Sequence, residues 1–183
     1  MLLKYFPKNT SFENIFVPLC GKSLDINFLS KQCMSLYGLE CSSDAILDFF
    51  KENNLSHHQS DNIYRSDNIN LICDDIFKFD FSQNKVSKFD FIYDRAATVA
   101  LPFELRAKYH KLLKRVLSSQ GKIMIITFEI DRDKTIGPPF SVSHENIKEN
   151  FKEYSIKKIY ESEKQQSPAM GTLSKECIYL ISK

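Results

Sequence analysis

A chain of 183 residues with 43% apolar content is long enough to bury a core within one domain and too apolar to be disordered. Its formal net charge of +2 is too small, and its lysines too scattered, to argue for nucleic acid or an anionic membrane as partner. No apolar run approaches the length of a membrane span or a signal-peptide core, so no membrane is expected and the cytoplasm is the default location.

Residues 14–19 form a short run of strand formers that ends at a turn with a single glycine, Gly21. Ser23 is placed to cap a helix whose inner face would carry Leu24, Phe28 and Leu29. A second strand, 34–40, ends in Glu40. Ser42 or Ser43 then caps a helix reaching about residue 51, with Ala45, Ile46, Phe49 and Phe50 at helical spacing. Residues 53–70 are polar and read as a loop with a short strand pairing onto the next. A third strand, 69–73, closes on Asp74 and Asp75, and a fourth, 89–93, on Asp94 and Arg95. Pro102 opens a helix to about residue 117, where its missing N–H costs nothing and Glu104 suits the helix dipole. Its lysine-bearing stretch, 108–115, reads as a solvated face.

A turn at 118–121 leads into a buried fifth strand, 122–130, and Ser143 caps a short helix to residue 151. Two late runs, 154–160 and 176–181, alternate apolar and polar residues as antiparallel edge strands do. Strands alternating with helices predict an α/β fold in one domain over 1–183. Its Rossmann-like sheet is doubly wound, mostly parallel and seven-stranded, with helices on its faces and antiparallel strands at its C-terminal edge.

A strand, a one-glycine turn, a helix and a strand ending in an acid is how such a fold makes an adenosine pocket. A dinucleotide fingerprint needs three glycines and only Gly21 is present; a Walker A loop needs a glycine where Phe16 stands. The Gly21-Lys22-Ser23 triplet is therefore no ATP signal, and a phosphate-free adenosine ligand, S-adenosylmethionine, fits better. A packing glycine and a surface Glu account for the spacing alone equally well.

The wording of the segments goes further. Residues 16–25 (FVPLCGKSLD), 37–42 (YGLECS), 89–101 (FDFIYDRAATVAL) and 137–142 (GPPFSV) resemble, in order, successive motifs of the thiopurine S-methyltransferase family. The resemblance covers residues 16 to about 151, with a weaker match beyond. It implies a class I methyltransferase fold, S-adenosylmethionine as cofactor, and transfer of its methyl group to the sulfur of a small-molecule thiol. It implies no catalytic side chain that can be named. Tyr93 and Ala96 stand where the family often has Trp and Gly. The family also carries a longer, Trp-containing N-terminal segment over its cofactor, and this chain has no Trp. That departure leaves open a non-catalytic nucleoside-binding module or scaffold on the same fold. A nicotinamide-dependent oxidoreductase is disfavoured by the missing glycines.

Ligands of such sheets lie beyond the carboxyl ends of the strands, where Leu19, Glu40, Asp75 and Arg95 stand. Glu40 follows Leu19 by about twenty residues, the usual offset of an acid that takes the ribose hydroxyls. By the resemblance, Asp75 and Ile76 border the adenine, Asp75 accepting from its amino group and Ile76 covering the ring. Arg95 matches a family arginine at the cofactor site, where its guanidinium can pair the donor's carboxylate or an anionic thiolate. An Asp94–Arg95 structural ion pair and an Asp75 turn cap are the competing accounts. Phe140, after two prolines, is either an aromatic wall for a planar substrate or a ring buried by a rigid turn. Cys20, Cys33, Cys41, Cys73 and Cys177 form no C-x-x-C pair and His57-His58 diverge, so no metal is expected. Most of these cysteines lie in apolar runs as small hydrophobes, and the chain is expected to be monomeric.

Overall fold

The computed structural model describes residues 2–8, 10–83, 88–133, 135–168 and 170–183. The chain gathers into two compact units, residues 1–92 and 93–183.

In the first unit, helix α1 (Leu2–Tyr5) precedes strand β1 (Phe12–Pro18). Then come α2 (Asp25–Ser30), β2 (Cys33–Glu40) and α3 (Ser43–Glu52). Strands β3 (His58–Ser60), β4 (Ile63–Ser66) and β5 (Ile69–Cys73) follow, and β6 (Phe89–Arg95) begins here. Strand β1 pairs in parallel with β2 on one side and, through Ile15↔Phe91 and Phe16↔Ile92, with β6 on the other. Strand β2 pairs in parallel with β5, which carries the antiparallel β4 and then β3. The chain thus builds outward from β1 in one direction and returns to its other side. That reversal puts a switch point at the carboxyl end of β1, where α/β sheets bind their ligands.

Burial follows from helices lying against parallel strands. Ile15, Phe16 and Val17 are consecutive and all buried, the pattern of a strand covered on both faces. Phe16 stacks on Phe89 at 4.8 Å, and Phe6 meets Phe12 and Phe91 edge-on at 5.8 and 5.2 Å. Of the two serines the sequence offers as cap of helix α3, the structure uses Ser42, whose hydroxyl accepts from the Ala45 amide, and Ile46, Phe49 and Phe50 are buried as expected. Helix α2 departs from expectation. Leu24 lies before its first turn and is 70% exposed, and Ile26 takes its place in the core beside Leu29. The polar stretch 53–70 holds two short strands rather than one, because β3 and β4 pair with each other as a hairpin.

The second unit holds α4 (Ala97–Ala100), α5 (Phe103–Val116), β7 (Leu117–Ile130) and α6 (His144–Asn150). Strands β8 (Ser155–Glu161), β9 (Gln165–Ser167) and β10 (Thr172–Ser182) follow. Strand β10 pairs antiparallel with β7 from Ser174↔Ile130 to Ser182↔Lys122, with β8, and with β9, which confirms the antiparallel C-terminal strands. Ten strands are present among the described residues, against the seven-stranded sheet expected: β3 and β4 lie in the polar stretch where the sequence predicts one short strand, and β9 is new. The turn expected at 118–121 is instead the start of β7, whose extended backbone runs straight on from α5. Tyr109, Leu112, Leu113 and Val116 make the inner stripe of α5, while Lys108 and Lys111 face water. The Ser143 hydroxyl caps α6 at the Asn146 amide, and the Lys114 ammonium meets the Asn150 carbonyl at its other end at 2.8 Å, where a cation suits the dipole. Among the described residues no helix is long and apolar enough to cross a membrane.

Candidate functional site

The turn after β1 is built around Glu40. Leu19 takes a positive φ of 45° and Gly21 one of 50°, so the chain doubles back tightly over the end of β2. The Cys20 amide donates to the Leu39 carbonyl at 3.1 Å. The Gly21 amide donates to Glu40 Oε2 at 2.9 Å, and the Ser42 amide to Glu40 Oε1 at 3.0 Å. One carboxylate therefore ties the glycine turn to the start of α3. Gly38 permits this approach, since a Cβ there would lie 2.6 Å from Leu71 Cδ2 and 2.8 Å from Cys20 Sγ. A Cβ on Gly21, by contrast, would meet nothing within 4 Å, so the turn's outer side is open. Glu40 remains partly exposed, with acceptor capacity left on Oε2. These features fit a ribose: a fixed, half-open carboxylate beside a turn with room in front of it.

Lys22, the middle residue of the phosphate-loop look-alike, pairs with Glu52 at 2.6 Å and Asp48 at 3.6 Å on α3. It ties the turn to that helix.

Asp75 lies one residue beyond Asp74, whose amide donates to the Glu40 carbonyl at 3.0 Å. Its Oδ1 accepts from the Phe77 amide at 2.8 Å and its Oδ2 faces the Lys78 ammonium at 3.6 Å, so Asp75 caps its own turn. Ile76 is buried. The first unit thus brings Leu19, Glu40 and Asp75-Ile76 to neighbouring strand ends.

Arg95 ends β6 in the second unit, exposed, and its positive charge lowers the pKa of Glu176 against the larger upward push of burial. Ala96 after it takes a φ of 74°, turning the chain into α4. Asp94 is fully buried. It accepts from the Thr98 amide at 3.0 Å, the Thr98 hydroxyl, and the Tyr109 hydroxyl at 2.9 Å, all uncharged donors. His110 Nε2 lies 3.1 Å from the Thr98 hydroxyl oxygen. With that hydroxyl donating to Asp94, the imidazole donates in turn, which fixes its tautomer. Burial pushes Asp94 above its ordinary value despite these hydrogen bonds, drives the Tyr109 hydroxyl far up, and depresses His110 to about 4. Sequence reasoning missed this cluster; its one signal was Thr98 four residues after Asp94.

Phe140 is half-buried. It lines a cavity of about 520 Å³ together with Pro102, Phe103, Arg106 and Asn146. Arg106 is 3% exposed and donates to the Leu101 and Ser141 carbonyls at 2.9 and 3.0 Å, holding the start of α5 to the segment after Phe140. Both peptide bonds of Gly137-Pro138-Pro139 are cis.

The fold has many counterparts among solved structures. The N-methyltransferase NodS of Bradyrhizobium japonicum in complex with S-adenosyl-L-homocysteine matches with a TM-score of 0.63 at 13% identity, over 94% of this chain and 80% of that one. Parallel strands whose order reverses at β1, with antiparallel strands at the C-terminal end, make a class I S-adenosylmethionine-dependent methyltransferase fold. Sequence relatives narrow it. The thiopurine S-methyltransferase of Psychrobacter cryohalolentis is 34% identical over all of this chain and 89% of its own length. That of Vibrio atlanticus is 36% identical over 85% and 73%. The family description "Thiopurine S-methyltransferase" matches residues 1–179, and the chain belongs to that family of S-adenosylmethionine-dependent S-methyltransferases.

Proposed function

We propose that the chain acts as a single methyltransferase domain that methylates the sulfur of a small aromatic or heterocyclic thiol, as the names of its relatives suggest. One observation carries the reading: the Glu40 carboxylate, held by the Gly21 and Ser42 amides beside an open turn at the switch point. S-adenosylmethionine supplies the methyl group, attached to a sulfonium that leaves as a neutral thioether. Glu40 accepts from the ribose hydroxyls and Leu19 lies along the nucleoside. Asp75 accepts from the adenine amino group with the lone pairs its turn leaves over, and Ile76 borders the ring. Arg95, exposed at the end of β6, favours the anionic form of the acceptor. An aromatic thiol ionises readily near neutral pH, so positioning supplies much of the rate and no strong base is needed. His110, buried and neutral, is not that base. The reading further places the protein in the cytoplasm as a monomer.

Calorimetric titration with S-adenosylhomocysteine tests the pocket. Saturable binding is expected, and Glu40→Gln, which loses one acceptor at constant shape, should weaken it by roughly tenfold or more. No binding at millimolar ligand, or equal affinity in the variant, refutes the ribose assignment. Incubation with the methyl donor and a panel of aromatic thiols, read as a gain of one methyl by mass, then tests the acceptor class.

A further inference from the structure

Two thiols beside Glu40 have no part in the transfer proposed above. Cys20 and Cys177 are buried, but Cys41 is exposed and Cys73 half-buried. Cys73 is the register partner of Glu40 in the parallel β2–β5 pair, and paired strands lie about 4.8 Å apart. Cys41 follows Glu40 directly, one residue beyond that pairing. The Cys73 thiol reaches the Cys41 main chain. Cys41 Sγ donates to Glu40 Oε1 at 3.4 Å, and Cys73 Sγ donates to the Cys41 carbonyl at 3.7 Å. Among the described residues no group of three or more His, Cys, Asp or Glu side chains could hold a metal ion, so thiol–disulfide chemistry is what the pair offers. Cys33 starts β2 and lies on the order of 20 Å back along the strand, out of competition.

We infer that Cys41 and Cys73 form a dithiol modification site: a small-molecule disulfide converts them to a Cys41–Cys73 bond, which withdraws the Cys41 thiol from Glu40 and weakens donor binding. The effect on binding rests on Glu40 being the ribose ligand; the bond itself does not. The deprotonated Cys41 sulfur attacks one sulfur of the reagent disulfide, forming a mixed disulfide and expelling one reagent thiolate. The deprotonated Cys73 sulfur then attacks the Cys41 sulfur of that mixed disulfide and expels the second. Two protein thiols are oxidised, one reagent disulfide is reduced to two thiols, and the two protons are carried by the departing thiolates. The loss of the S–H donor and the swing of Cys41 towards β5 pull at the turn that Glu40 anchors.

The test uses the whole chain, reduced or incubated with oxidised glutathione at mildly alkaline pH, because Glu40 and then burial push the Cys41 thiol upward, and burial, then Asp74 and Glu40, push Cys73 upward. Peptide mapping is expected to show a Cys41–Cys73 cross-link and the loss of two hydrogens. S-adenosylhomocysteine affinity should fall about tenfold and return on treatment with dithiothreitol. Cys73→Ser should give no cross-link. Free thiols at both positions after incubation, or pairing through other cysteines, overturn the site. A mapped bond with unchanged affinity overturns the coupling to the donor. If the reduced protein itself fails to bind, the functional reading and the coupling fall together, and the map still decides the bond.

Discussion

Burial holds the His110 imidazole neutral, its pKa pushed from 6.5 to about 4. A base depressed on folding binds fewer protons in the native state. Its stabilising contribution is therefore complete above 6.5 and is lost as pH falls through the window down to about 4. Asp94 beside Thr98 works the other way: raised by burial, it favours the native state most below its ordinary value and least above its folded one. Urea unfolding across the acid range separates them. The wild type should lose up to about 3 kcal/mol relative to His110→Gln between pH 6.5 and 4, since the variant has no imidazole to charge. Parallel curves for the two proteins would refute the neutral imidazole.

The elements meet most closely where β2 passes under the glycine turn. Gly38→Ala would place a methyl 2.6 Å from Leu71 Cδ2 and 2.8 Å from Cys20 Sγ, both in buried residues, so β5 or the turn must shift. A loss of about 1–3 kcal/mol is expected, read as a lower urea midpoint at unchanged slope. An unchanged midpoint would mean that this packing is looser than its distances imply. On the other unit, Lys175 reaches Glu129 at 3.1 Å and Glu161 at 2.6 Å across β7, β10 and β8. That bridge is partly exposed and aligns the antiparallel strands without contributing much stability.

For the whole molecule, a ligand that binds only the folded state shifts unfolding by mass action. S-adenosylhomocysteine at 100 times its Kd adds about 2.7 kcal/mol, which for a chain of this size raises the melting temperature by about 5–10 °C. Glu40→Gln should show a much smaller rise at the same concentration. Equal rises in both proteins would mean that the ligand binds without the carboxylate.

The sequence alone determined the parallel α/β strands, the glycine turn, the acid at the end of β2 and the cap at Ser143, and narrowed the cap of α3 to Ser42 or Ser43. These signals are local: an apolar period, a hydroxyl before a helix, a glycine where φ must be positive. The family motifs were legible for the same reason, as contiguous words. Pairing and burial were not legible, because they depend on residues far apart in the chain. Only the tertiary structure showed that Leu24 faces water while Ile26 takes the core, and that residues 118–121 continue a strand. It alone gave Asp94 hydroxyl partners from Thr98 and Tyr109, and brought Cys41 and Cys73 together beside Glu40. A strand's register sets which distant side chains share a neighbourhood, and no local pattern encodes that register until the strands have paired.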